Sequence, residues 1–398
     1  MPGAALASSL LAMVSRRRQG EIWAYAVAMG LGSLGFEVLV LRARMAPHDL
    51  RIFLLAAQRL VEVRPLYQLG FVSPPEWAVI VLPLSLLPFW MAAAAFITAS
   101  AVALTLAAWR AARWLGLPAL PTAAAALVCP MGWWGLMLGQ PDALLTAGLL
   151  ALTLALGKRR WSLAGLITPW LLLKPDVTWP VALLVPLALW SDSSARRPYL
   201  KSAALSSVGF LLLGGWWLPS WVAGLTAFGQ HSHFQPVLSG LPDLLGGELS
   251  GATPHQILTS PLGLTATITG LAAMALVAAR SGRALPPSDR AVWMAAVPLA
   301  IWVATSPYVH DYDVLFLLPL ALLLIARGPT WSMAAVVLAA LPLVVFPTLG
   351  AFAAISSATL AAAGVAALGT QRPGSRDRAS GAELEELTTG SAVPPLPN

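Results

Sequence analysis

The side chains of this 398-residue chain that could do chemistry are few, and they fall in four short stretches. Asp49 stands in MAPHDLRIF, with Arg42, Arg44 and Arg51 on either side. Gln140 and Asp142 stand in GQPD, Lys174 and Asp176 in KPD, and His310, Asp311 and Asp313 in YVHDYD. A lone carboxylate can take the proton of an attacking hydroxyl. Grouped guanidinium and ammonium side chains can hold a phosphate. Gln140 and Asp142 can hydrogen-bond hydroxyl groups of a ligand. His231 and His233, two residues apart, could suggest a metal pair, but the nearest carboxylate is Asp243 and the only cysteine is Cys129, so a site there lacks ligands. That single cysteine also rules out an intramolecular disulfide.

The elements that must position these residues are membrane segments. The chain is 58% hydrophobic and only 10% charged, and its apolar runs approach the roughly 20 residues that cross a bilayer. A soluble domain of this length would expose far more charge. The expectation is an all-α integral membrane protein with about 12 segments, in the range of roughly 10–13. These lie near 21–41, 77–109 (broken near Pro88), 119–138, 143–157, 162–173, 177–190, 203–225, 263–280, 291–305, 313–326, 331–347 and 350–368. Residues 1–20 read as a cytoplasmic N-terminus, 21–368 as one transmembrane domain, 42–76 as its first outer loop and 369–398 as a disordered cytoplasmic tail.

Charge fixes the orientation. The net charge of +7 could suggest nucleic acid, but the cations sit in short tracts between apolar runs and read better as topology signals. With Arg16–Arg18 inside, alternation places 18 of the 24 lysines and arginines on the cytoplasmic face. Five of the other six, Arg42, Arg44, Arg51, Arg59 and Arg64, lie in the first outer loop; the sixth is Lys174. The histidines also fall on or near the outer face, so the chemistry is expected to be extracytoplasmic, in the plasma membrane.

Residues 50–64 cannot span, because Arg51, Gln58, Arg59 and Glu62 interrupt them. These four share about one third of a helix circumference, which predicts an amphipathic helix lying on the outer membrane surface. Asp49 precedes that helix and lies off its polar stripe. It is either the helix N-cap or a reactive carboxylate. Lys174, at the tip of a hairpin of two short helices, is costly to place in a membrane unless paired: its partner is either Asp176 or an anionic ligand. Most of the 17 tryptophans read as interfacial anchors.

Taken in order, DLRIFLLAAQRL, RPLY and SPPEWAVIVLPLSLLP in the first loop, then GQPD, AGL with KP at 164–175, and SPYVHDYD at 306–313, resemble glycosyltransferase family 87 over roughly residues 20–330. Ser73 and Val63 depart from the family pattern, which usually has an aromatic and a small residue there. The resemblance implies a multispanning GT-C fold that transfers a sugar, mannose or else arabinofuranose, from a polyprenyl-phosphate donor. The acceptor would be a hydroxyl of a glycolipid or polysaccharide. It implies that Asp49 is the base, assisted by His310, with inversion at the anomeric carbon and no metal or other cofactor. Arg42, Arg44, Arg51 and Lys174 are the candidates to hold the donor phosphate, which His310 could bind instead of assisting the base, and Asp49, His310 and Lys174 should converge on one cavity open to the bilayer. The rival reading is a transporter or flippase of lipid-linked sugars, which should show related halves; the sequence displays no such symmetry.

Overall fold

The computed structural model describes residues 47–67, 71–231, 253–306, 309–345 and 350–370, all helix, turn and loop, with no strand among them. The expected first segment (21–41), Arg42, Arg44, His233 and the terminal stretches 1–20 and 371–398 lie outside the described residues. The helices are α1 (His48–Val61), α2 (Pro75–Ser85), α3 (Phe89–Leu115), α4 (Ala119–Leu127), α5 (Pro130–Leu138), α6 (Asp142–Gly157), α7 (Trp161–Leu171), α8 (Pro175–Ala188), α9 (Ser193–Gly214), α10 (Leu218–His231), α11 (Pro254–Thr259), α12 (Pro261–Ala284), α13 (Pro287–Met294), α14 (Val297–Thr305), α15 (Leu318–Arg327), α16 (Thr330–Val345) and α17 (Gly350–Thr370). Two 3₁₀ turns, Gly215–Trp217 and Asp311–Leu317, lead into α10 and α15.

Proline sets many of these boundaries. It opens α2, α5, α8, α11, α12 and α13, where its missing N–H would be unpaired in any case. Pro88 takes an extended conformation, φ −53° and ψ 141°, and splits the overlong 77–109 run where the sequence suggested. Among the described residues three helices are long and apolar enough to cross a membrane: Phe89–Leu115, Pro261–Ser281 and Ala353–Thr370. Two pairs bent by 50° and 78°, α4 with α5 and α9 with α10, bring the number to five if each is one span. Shorter apolar helices among the described residues include α2, α6, α8 and residues 330–341 of α16.

Two segments depart from expectation. The span expected at 203–225 instead begins at Ser193, because the Asp192 side chain accepts from the Ser194 and Ala195 N–H groups. It then breaks at Gly214–Gly215. A Cβ at Gly214 would lie 2.9 Å from the Glu76 nitrogen, so the close approach of α9 to α2 needs a residue that also favours a kink. The segment expected at 291–305 is broken at Ala295–Ala296 into α13 and α14, with Pro298 in the first turn of α14, where no i−4 hydrogen bond is lost.

Helix α1 is amphipathic as expected, but its apolar side rests on protein. Leu50, Phe53, Leu54, Ala56 and Ala57 are buried, and Phe53 packs edge-on against Trp77 of α2 at 5.9 Å. Its polar side chains fasten the loop that follows: Arg59 donates to the Pro65 carbonyl at 3.0 Å and Arg64 pairs with Glu62 at 3.2 Å. The N-terminal end of α1 sits on Gly139, the left-handed residue (φ +77°) that ends α5. A Cβ at Gly139 would stand 2.4 Å from the Leu50 Cβ. Gly139→Ala combines the left-handed penalty with a clash and is expected to lower stability by about 2–4 kcal/mol. The readout is the thermal unfolding midpoint in detergent, and an unchanged midpoint would show that α1 is not seated there.

Candidate active site

The seat on Gly139 places Asp49 beside the turn between α5 and α6. α5 closes with the Gln140 N–H donating back to the Gly135 carbonyl at 2.8 Å, a helix-ending arrangement that requires the left-handed glycine. Gln140 then reaches across: its Nε2 donates to Asp49 Oδ2 at 2.6 Å. Asp49 lies in the first turn of α1 and no side chain caps that helix, so the capping alternative for Asp49 is not the one adopted. In the first turn its charge still favours the helix dipole. Its other oxygen, Oδ1, lies 3.4 Å from the Nδ1 of exposed His48.

Asp142, two residues beyond Gln140, faces the interior. Lys174 Nζ donates to Asp142 Oδ1 at 2.8 Å and to Asp313 Oδ1. The residue before Pro175 is kept out of the helical region, and Lys174 takes φ −132° and ψ 72°, non-helical but short of fully extended. Thr178 Oγ1 secures the same turn by donating to the Leu171 and Lys174 carbonyls. The Lys174 ammonium also lies 4.8 Å from the Tyr312 ring centroid, a cation–π contact.

Asp313 completes the chain of contacts. Its Oδ2 accepts the His310 backbone N–H at 2.7 Å, and the His310 ring stacks on Tyr312 at 4.9 Å and 8°. His310 lies in the loop between α14 and the second 3₁₀ turn. Desolvation, reinforced by the Lys174 ammonium and opposed by Asp142 and Asp49, pushes its imidazole down to about 3. The ring is therefore neutral at physiological pH. Asp49 and Lys174 thus both lie within Coulombic range of His310.

Two expectations change in this setting. Lys174 is held by Asp142 and Asp313; Asp176, the sequence-adjacent candidate, acts on it only through longer-range charge, and its carbonyl accepts the Trp302 indole N–H at 2.6 Å. Asp142 was a candidate sugar contact, but its side chain is 0% exposed and turned to Lys174. Of the three carboxylates that hydrogen-bond Gln140 or Lys174, Asp49 is 24% exposed, whereas Asp142 and Asp313 are 0% exposed. Arg51 is exposed and makes no ion pair among the described residues. The side chain of His231 lies outside the described set, and His255 is exposed.

The sequence model of glycosyltransferase family 87 matches residues 71–307, more than half of the chain. The chain belongs to glycosyltransferase family 87. It is thus a membrane glycosyltransferase, with donor and acceptor substrates. The matched stretch contains Gln140, Asp142 and Lys174 but ends short of His310 and Asp313 and begins after Asp49. No curated protein and no solved structure matches the chain. In this family-87 enzyme one hydrogen bond ties Asp49, from outside the matched region, to Gln140 within it.

Removing the cation from the buried network would leave two carboxylates facing each other. Lys174→Met is expected to destabilise the protein by about 3–5 kcal/mol. Adding Asp142→Asn in that background should recover part of the loss, because the second change relieves what the first creates. A thermal-unfolding double-mutant cycle tests this; strictly additive effects would mean that the two residues do not interact.

Proposed function

We propose that this enzyme transfers a sugar, mannose before arabinofuranose, from a polyprenyl-phosphate donor to a hydroxyl of a glycolipid or polysaccharide on the extracytoplasmic side of the plasma membrane. The observation that carries the reading is the accessible Asp49 carboxylate held by Gln140 at the end of a network that is otherwise buried. In this reading Asp49 Oδ1 receives the proton of the acceptor hydroxyl as its oxygen attacks the anomeric carbon. The bond to the donor phosphate breaks on the opposite face, so the configuration inverts. Gln140 fixes the carboxylate in one orientation and leaves its other oxygen for the proton.

The leaving phosphate needs cations. Arg51, exposed two residues from Asp49, is the first candidate, with Arg42 and Arg44 preceding it in sequence. Lys174 acts through the carboxylates it binds: it locks the 139–142 turn, the start of α8 and the 310–313 loop together and so sets the place of Gln140 and His310. His310, neutral, would hydrogen-bond donor or acceptor oxygen atoms. A lipid carrier is supported by the apolar cleft lined by Met131, Val314, Leu317, Val336 and Leu360, which begins at the residue after Asp313. The GT-C architecture with about 12 membrane segments belongs to the same proposal.

Transfer from purified polyprenyl-phosphate sugars in proteoliposomes tests the reading. Asp49→Asn keeps the shape but cannot take the proton, and is expected to lower kcat by about a hundred-fold or more. A variant retaining most of the wild-type rate would remove Asp49 from the chemistry. Gln140→Leu should reduce kcat by about ten-fold while leaving the donor KM within about two-fold; a change in KM alone would make Gln140 a substrate contact instead.

A further inference from the structure

Helix α6 starts at the Asp49 network with Asp142 and ends at Gly157, about 22 Å away. At that far end a set of contacts that the chemistry above does not use joins five segments. Gly157 lies against the Trp114 ring at the end of α3 and leaves no room for a Cβ. Arg327, at the end of α15, stacks on the same ring at 4.4 Å and pairs with Asp289 of α13 at 3.5 Å. Arg290, the next residue, donates to Ser191 Oγ at 3.3 Å, and Asp192 lies within Coulombic range of Arg159 in the turn after α6. The basic tracts after α6 and at the start of α9 therefore share one end of the molecule. The two carboxylates of this ring are already engaged: Asp192 caps α9 and Asp289 holds Arg327. Arg196 stacks on exposed Trp190 at 4.9 Å, an aromatic of the kind found at the headgroup level of a membrane.

From this end α9 presents one exposed stripe. Arg197, Lys201, Leu205, Val208 and Leu212 fall within about 80° of the helix circumference, and all five are exposed. The opposite side of α9 packs on α7, where Tyr199 donates to Thr168 Oγ1 at 3.0 Å and Ser206 to the Leu166 carbonyl at 2.8 Å. The order along the stripe is two cations and then apolar side chains, and α9 carries no carboxylate. Leu205 and Leu212 are 69% and 68% exposed. From Lys201 to Leu212 the stripe runs about 16 Å, which is the depth of one leaflet in a hydrocarbon core roughly 30 Å thick. There the stripe ends, because the chain bends by 78° between α9 and α10. A soluble anion would meet the cations and leave the leucines bare, and a lipid without net charge would cover the leucines and leave the cations unbalanced. An anionic lipid does both. A polyprenyl phosphate offers the same chemistry, but in the reading above the donor brings its phosphate to Asp49, at the other end of α6.

We propose that the exposed face of α9 is a binding site for an anionic glycerophospholipid. Arg197 and Lys201 hold its phosphate, and one acyl chain lies along Leu205, Val208 and Leu212.

The test is lipid binding to the full chain in a neutral detergent, read by native mass spectrometry with dioleoyl phosphatidylglycerol and dioleoyl phosphatidylcholine as probes. Wild type is expected to bind the anionic lipid about ten-fold or more tightly than the zwitterionic one. Arg197→Gln combined with Lys201→Gln should bring the two lipids within about two-fold of each other. Arg110→Gln combined with Arg113→Gln removes the same charge from exposed positions near the end of α3 and should leave the preference within about two-fold of wild type. Lys201→Gln alone, expected to lose about five-fold, replaces the first double variant if that one fails to fold. Dihexanoyl phosphatidylglycerol, whose chains are too short to follow the stripe, should bind about ten-fold or more weakly than the dioleoyl lipid. Equal binding of the two dioleoyl lipids by wild type, equal losses in the two double variants, or equal binding of the short and long anionic lipids overturns the site. Displacement of the bound phosphatidylglycerol by an equal concentration of polyprenyl phosphate would give the face to the carrier lipid and overturn the phospholipid assignment as well.

Discussion

The ammonium of Lys174, buried between Asp142 and Asp313, is the interaction on which the site depends. Burying an ammonium without partners would cost several kcal/mol even after relaxation. The chain avoids that cost only when three segments far apart in sequence meet: the turn before α6, the start of α8 and the 3₁₀ turn before α15. The apolar helices around them could slide by a turn with little change in buried area. An ion pair with one geometry cannot, so the charge cluster sets the register that hydrophobic packing leaves loose.

The reactive edge follows from that register. Fixing Asp142 fixes the turn that carries Gly139 and Gln140; Gly139 accepts the end of α1 because it has no Cβ, and Gln140 takes Asp49 by a 2.6 Å hydrogen bond. On the opposite side, Asp313 fixes His310 through its backbone N–H. The result is a graded site, charged and closed at Lys174 and open at Asp49. The proposed role of Asp49 as base draws on that gradient: rigid behind the carboxylate, accessible in front of it.

Much of this was legible in the sequence. The proline-marked boundaries, the break at Pro88, the amphipathic α1 and the family resemblance could all be read from residue type and spacing, because proline geometry and helical periodicity are local properties. The 3.6-residue stripe of α1 was legible, but what covers it was not: lipid and the α2 face satisfy the same apolar pattern. The breaks at Gly214–Gly215 and Ala295–Ala296 were missed for a related reason. Hydropathy runs smoothly across both, and the first is set by the approach of α9 to the backbone of Glu76. Glu76 itself carried no signal beyond being a charge in SPPEW.

The sequence by itself determined that the chain is helical, apolar enough for a membrane and equipped with Asp49, Gln140, Asp142, Lys174 and His310 in a recognisable order. Tertiary structure decided how they are used. Lys174 has Asp176 two residues away, yet it binds Asp142 and Asp313, which are 32 and 139 residues distant. Backbone geometry explains the choice: Pro175 opens α8 directly after Lys174 and sends the chain into a helix, while the lysine side chain turns into the interior, where only partners brought by other helices can meet it. Which carboxylate becomes structural and which stays free for substrate is a property of burial, and burial exists only once the helices have packed.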